Sequence, residues 1–197
     1  MSDATLVQTK DSSANPAPLG LLAFGMTTVL LNLHNAGFFE LNSMILAMGL
    51  CYGGAAQIIA GIMEWRKNNT FGMVAFLSYG FFWWSLALIV LLPTFFPGLK
   101  TTEPAMGWYF VLWGLFTLGL FVGTFRANIA LQIVFGTLTI LFALLAAKSF
   151  CTLGPTFAHW TGYEGVLCGV SACYTGLAGI LNELYNRTIL PVGPVTP

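Results

Sequence analysis

Six long stretches of this chain carry no charged residue: 12–39, 41–63, 68–99, 104–125, 127–147 and 165–182. Each is mostly apolar and close to or longer than the ~20 residues an α-helix needs to cross roughly 30 Å of hydrocarbon. Backbone N–H and C=O groups in lipid must be bonded within their own segment or in a closed barrel. Barrel strands alternate polar and apolar residues, whereas Leu138 to Ala147 (LTILFALLAA) is apolar almost throughout. The chain is therefore predicted to be an all-α membrane protein with six transmembrane helices, at about 18–38, 42–64, 70–92, 105–125, 127–148 and 160–183.

Composition closes off other classes. Of 197 residues, 57% are hydrophobic and 7% charged, against about a quarter charged in soluble domains. Too little chain is left to make a wet surface. A formal net charge of zero gives no long-range field for nucleic acid. No metal-ligand spacing, nucleophile elbow, P-loop or dinucleotide fingerprint is present, so neither an enzyme nor a cofactor is expected. Cys51, Cys168 and Cys173 fall inside predicted helices and Cys151 near a loop. Structural, inert thiols are expected of them.

The few charges also orient the chain. One side holds the N-terminus, the 2–3 and 4–5 loops and the C-terminus, with Lys10, Arg66, Lys67, Arg126 and Arg187; the other holds only Lys100 and Lys148. The positive-inside rule then places both termini in the cytoplasm. Residues 1–14 lack the apolar core of a signal peptide and read as a flexible tail. Residues 15–190 read as a single six-helix domain and 191–197 as a second tail. The segment from Pro93 to Pro104 holds three prolines and should form a compact turn on the other side.

Small and polar residues give the helices faces. In the sixth span Gly162, Gly165, Gly169, Ala172, Gly176 and Gly179 recur at steps of three and four. They share a face that admits a second helix backbone, or leaves room for a conduit. Gly49, Gly53, Gln57 and Gly61 repeat this in the second span. In the first span Phe24, Thr28, Asn32 and Asn35 share one face. Buried amides are costly in hydrocarbon unless bonded. This face, with Gln57 and Gln132, therefore either staples helices together or lines a path for a polar solute. No Lys or Arg stands near a span centre. The candidates for a proton link are Glu164 and His34, with His159 at the outer start of span six. The residues alone reach a small, charge-poor membrane protein, a channel or carrier for a small polar solute.

Ahead of the first span stands Asn15-Pro16-Ala17-Pro18-Leu19-Gly20-Leu21. Asn15 can cap a helix whose first turn accepts proline, leaving a helix N-terminus that favours a carboxylate. The string NPAPLGL resembles the signature of the succinate–acetate permease family, the acetate uptake transporters. FGMTTVLLNLHNAG (24–37), ILAMGLCYGGAAQIIAG (45–61), NTFGMVAFLSYGFFW (69–83), LTILFALLA (138–146) and LNELYNRTILPVG (181–193) are similar to it as well.

The resemblance implies transport of acetate, and of succinate or other short carboxylates, across the plasma membrane. The mechanism it implies is channel-like or proton-coupled. It also implies a conduit within each protomer, assembly as a homo-hexamer, and an apolar constriction of Phe24, Tyr79 and Leu138. On that reading Asn15, Thr28, Asn32, Asn35, Gln57, Tyr79 and Gln132 contact the substrate, the Tyr79 hydroxyl guiding a carboxyl group. The alternatives are a channel for urea, short amides or ammonia, and a structural or sensory membrane protein without transport.

Overall fold

The computed structural model describes residues 13–195. It holds six helices long and apolar enough to cross a membrane: α1 Ala17–Asn35, α2 Ser43–Arg66, α3 Thr70–Phe95, α4 Glu103–Thr124, α5 Ile129–Phe150 and α6 Pro155–Tyr185. These are the six predicted spans, with ends shifted by a few residues. The starts follow from local chemistry. Asn42, Asn69 and Asn128 cap α2, α3 and α5 by accepting the backbone N–H of Met44, Gly72 and Leu131. Each bond satisfies one of the free donors of a helix start. In α1, α4 and α6 a proline stands in the first turn, where a missing N–H costs nothing.

The predicted glycine stripe of α6 is a packing face against α1. A Cβ at Gly162 would lie 2.2 Å from the Ala36 backbone nitrogen, and one at Gly169 would lie 2.7 Å from the Gly25 carbonyl oxygen. A Cβ at Gly179 would lie 2.9 Å from the Pro18 ring. The two backbones are in contact along the whole of α1, so the stripe has no conduit behind it. Close backbone approach is what holds helices together where lipid removes the hydrophobic drive.

Four features depart from the sequence reading. First, α2 is not uniformly α-helical, because Gly49–Ala56 forms π-helical turns. Gly53 there faces Thr27 and Trp83, and Gly54 faces Trp84. The two indoles of α3 take the volume that side chains on a regular α-helix would fill. The Trp84 indole N–H also donates to the Leu50 carbonyl at 2.8 Å. Second, α3 runs through Pro93 to Phe95, so the compact turn begins later than expected. A proline in a last turn loses one ladder bond rather than the helix.

Third, the expected C-terminal tail from residue 191 is docked as far as residue 195. The N–H groups of Ile129 and Ala130 donate to Gly193 and Val192, and Val195 N–H donates to Ala127. The start of α5 has donors without intrahelical partners, and this segment supplies acceptors. Tyr174 and Asn182 of α6 hold it from the other side, bonding to Pro191 and Leu190. Fourth, the expected N-terminal tail lies outside the described residues up to residue 12, while Ser13 accepts a hydrogen bond from Lys67. The start of α1, the α2–α3 turn, the α4–α5 turn and the end of α6 thus meet at one end of the bundle, here called the termini end.

Candidate functional site

Among the described residues, two neighbouring cavities lie within the bundle. The larger, about 290 Å³, is walled by Phe24, Thr28, Asn32 and Asn35 of α1, by Phe82 and Trp83 of α3 and by Leu138, Leu141 and Phe142 of α5. Its far wall reaches His34, Glu103, Lys148 and Ser149, at the end opposite the termini. The smaller, about 90 Å³, is walled by Ala17, Leu21 and Phe24 of α1, Gln57 of α2, Gly72, Phe76 and Tyr79 of α3, and Val134, Phe135 and Leu138 of α5. Asn69 and Leu131 carry it toward the termini end. Its volume is roughly that of three waters in the liquid. Phe24 and Leu138 are the two residues that wall both cavities. They are 4% and 3% exposed, so the partition between the cavities is narrow and apolar.

Tyr79 packs beside this partition. Its ring lies 5.8 Å from that of Phe24, 5.7 Å from Phe116 and 6.2 Å from Phe135. Aromatic groups at such separations gain from edge and offset contacts. Its hydroxyl, which the sequence reading expected to guide a carboxyl group, has a protein partner in this structure. It lies 2.9 Å from the Thr117 hydroxyl on α4, and Thr117 donates its own hydrogen to the Trp113 carbonyl at 2.7 Å. Tyr79 is therefore the donor in that pair, and its hydrogen is committed to α4. What Tyr79 presents to the smaller cavity is its ring.

The polar face of α1 is largely bonded to itself. The Asn32 amide donates to the Thr28 carbonyl, and the Asn35 amide donates to the Asn32 side-chain oxygen, both at 3.0 Å. The Thr28 hydroxyl is left buried with no partner. So is the Trp83 indole N–H. Both residues are 3% exposed and wall the larger cavity. A buried orphan costs about 1–3 kcal/mol if nothing meets it. The indole N–H can only donate, and the hydroxyl can donate or accept, so both could serve an acceptor such as a carboxylate that enters beside them. Trp83 is absent from the expected set. Its signal was its position four residues after Tyr79, on the same face of α3.

The smaller cavity carries the opposite sign. The Gln57 side-chain oxygen is buried without a partner. Beside Asn69 and Gly72 lies the Glu64 carboxyl: Oε2 accepts from the Asn69 amide at 2.7 Å, while Oε1 is buried without a partner. A Cβ at Gly72 would stand 2.9 Å from that carboxyl group, so the glycine of the cavity wall lies directly against it. Glu64 too is absent from the expected set. The α2–α3 turn brings Asn69 back onto it through Asn68, which takes φ 58°, a conformation asparagine tolerates better than most residues.

The remaining expected residues are placed as follows. Asn15 is exposed and its side chain accepts the Ala17 N–H at 3.1 Å, so it shapes the start of α1 without walling either cavity. Gln132 walls neither cavity; its amide points to the Thr124 carbonyl at 3.5 Å across the α4–α5 turn. It is a link between those helices, because the face of α5 bearing Val134, Phe135 and Leu138 is the one turned inward. His34 walls the larger cavity, with Nδ1 2.9 Å from the Phe39 carbonyl. Glu164 walls neither cavity, and both its carboxyl oxygens are buried without a partner.

Residues 3–196 match the sequence profile of the GPR1/FUN34/yaaH family. The succinate-acetate/proton symporter SatP of Escherichia coli K12 is 52% identical over 182 residues, covering 91% of this chain and 95% of that protein. The ammonia transport outward protein 2 of Saccharomyces cerevisiae is 38% identical over 176 residues, covering 85% and 61%. Among solved structures, the bacterial acetate channel SatP superposes with a TM-score of 0.89 at 50% identity, covering 92% of this chain and all of that one.

Proposed function

The chain belongs to the GPR1/FUN34/yaaH family, and from that premise we propose that it moves acetate, with succinate and other short carboxylates as further substrates, across the plasma membrane. The observation that carries this reading is the pair of cavities meeting at Phe24 and Leu138. The substrate enters the larger cavity, where Thr28 and Trp83 donate to its carboxyl oxygens. It crosses the partition and leaves past Gln57 through the smaller cavity. Crossing as an anion through an apolar neck would be costly without a positive partner. Crossing as the neutral acid, or together with a proton, avoids that cost.

Both termini lie on the cytoplasmic side in this proposal, supported by the five-to-two distribution of Lys and Arg. The assembly proposed is a homo-hexamer with one conduit in each protomer. Exposed apolar side chains on α4, Trp108, Leu112 and Leu115 among them, suit a surface covered by lipid or by another copy.

A second reading, export or uptake of ammonia, is favoured by the yeast relative's name. The two orphan groups in the larger cavity, both able to donate, support the carboxylate instead, because ammonia offers them a single lone pair. Purified protein in liposomes, assayed with labelled acetate against succinate, urea and ammonium as competitors, separates the two. Acetate flux above protein-free liposomes, suppressed by succinate and unaffected by urea or ammonium, is the expected result. Flux of ammonium without flux of acetate would sink the carboxylate reading.

A further inference from the structure

We propose that Glu64 is the proton-holding residue of the conduit, sharing its proton with the substrate carboxylate in the smaller cavity. The inference rests on the transport reading above. Its ground is geometric: Glu64 is 2% exposed, and one carboxyl oxygen is bonded to Asn69 at 2.7 Å. The other is buried without any partner. The carboxyl group adjoins Asn69 and Gly72, which wall the smaller cavity, with Oε2 on the Gly72 side.

Asn69 has its side-chain oxygen committed to the Gly72 N–H, so its amide can only donate to Glu64. Oε2 is therefore held as an acceptor, and a proton on this group sits on Oε1, the unpartnered oxygen. An O–H there needs an acceptor, and a carboxylate in the adjoining cavity provides one. Hydrogen bonds between a carboxylic acid and a carboxylate are among the short, strong class. No cation is required, which agrees with the absence of Lys and Arg from the middle of every span.

The proton accounting is closed. When a carboxylate enters from the termini end, transfer breaks the Oε1–H bond of Glu64 and forms the O–H bond of the acid. The negative charge then rests on Glu64, held by Asn69, and the neutral acid crosses Phe24 and Leu138. Asn69 is exposed, so water at that mouth returns a proton to Glu64. Transport in the other direction runs the same steps backwards. The groups facing Glu64 leave this exchange to it. On the described residues, α1 brings no ionisable side chain before His34 at its far end, and α3 brings none before Tyr79. Lys67, just past the end of α2, is the cation whose charge bears on the carboxylate. Glu164 and His34, the groups expected from the sequence, are placed otherwise. Neither Glu64 nor Glu164 is itself a wall residue, but Glu64 is bonded to Asn69 of the smaller cavity's wall while Glu164 is bonded to no residue of either wall, and His34 stands at the opposite mouth, bonded to Phe39.

The test is labelled-acetate uptake into liposomes at several external pH values, with uptake by protein-free liposomes subtracted. Three variants accompany wild type, each checked for a monodisperse size-exclusion profile. At fixed total acetate, wild-type uptake should fall on the order of tenfold from pH 5.5 to pH 7.5, because each substrate carries a linked proton. Glu64→Gln keeps the bond to Asn69 but has no proton to transfer, so its uptake should fall toward the protein-free level and lose its dependence on pH. Glu64→Asp retains the titrating group and should restore the slope, with a raised KM. Glu164→Gln should follow wild type.

A Glu64→Gln profile as steep as wild type would overturn the proposal. So would wild-type uptake that ignores pH, or, should the Gln variant not fold, a folded Glu64→Asp without the slope. An absence of any wild-type acetate flux would instead defeat the transport reading itself.

Discussion

The two cavities share two residues and little else. The larger, toward the end opposite the termini, has in its wall two residues with unsatisfied groups, the Trp83 indole N–H, which can only donate, and the Thr28 hydroxyl, which can donate or accept. The smaller, toward the termini end, leaves the Gln57 oxygen in its wall unsatisfied, and the Glu64 carboxyl, with one oxygen unpartnered, lies behind Gly72. A carboxylate is an acceptor only and a carboxylic acid is also a donor. The larger cavity is therefore matched to the anion and the smaller to a substrate that has a proton or is taking one. The apolar neck of Phe24 and Leu138 between them favours the form without charge. A conduit built this way can discriminate by protonation state without a fixed cation.

The comparison breaks most completely if α1 is displaced, because α1 supplies Phe24 to the neck, Thr28 to one cavity and Ala17 to the other. Gly169→Leu adds a Cβ that would lie 2.7 Å from the Gly25 carbonyl oxygen. Backbone cannot yield there as a flexible side chain can, and overpacking of this kind costs about 1–3 kcal/mol or more. Loss of monodisperse protein on size exclusion, and of all flux, is the expected outcome.

A smaller effect sharpens the comparison. Trp83→Phe removes a donor from the larger cavity and leaves the smaller untouched. A hydrogen bond to a charged group is worth roughly 1.5–3 kcal/mol, so KM for acetate should rise about tenfold or more. The slope of uptake against pH should stay as in wild type. A flattened pH slope in this variant would contradict the division of labour between the cavities.

The smallest effect concerns the mouth. Lys148 is exposed on the wall of the larger cavity. Exposed charges act weakly and are screened by salt. Lys148→Ala should raise KM about twofold at low ionic strength and leave it unchanged at high salt. A salt-independent change would place Lys148 deeper in the substrate's path than its exposure allows.

Much of this architecture was legible in the order of residues. Charges in a membrane protein collect where water is, so their gaps mark the spans. The small-residue steps of α6 marked its contact with α1, since a Cβ added at Gly162 or Gly169 would lie under 3 Å from the α1 backbone, closer than real Cβ atoms come. Other features depended on tertiary packing. The π-helical turns of Gly49–Ala56 depend on where Trp83 and Trp84 of α3 lie. Their sequence, GLCYGGAA, would suit an ordinary α-helix in a membrane.

Within the site, Phe24, Thr28, Asn32, Asn35 and Gln57 wall the cavities as their helical faces suggested. Gln132, in the first turn of α5, points its amide back to the end of α4, because periodicity identifies a face and not what the face meets. The Tyr79 hydroxyl is taken by Thr117, 38 residues away on another helix, a partner no local pattern names. Glu64 lies near a span end, where an acid is ordinarily solvated. Only the turn at Asn68 and the missing side chain of Gly72 make it a buried neighbour of the smaller cavity.

The central claim is that substrate passes from one cavity to the other between Phe24 and Leu138. Labelled-acetate flux into liposomes carrying wild type or Leu138→Trp tests it most directly, with size exclusion to show that the variant is folded. The indole would fill the gap between the cavities while leaving Thr28, Trp83, Gln57 and Glu64 in place. The account predicts saturable flux for wild type and flux no greater than that of protein-free liposomes for the variant. Folded Leu138→Trp protein that conducts acetate like wild type would contradict it.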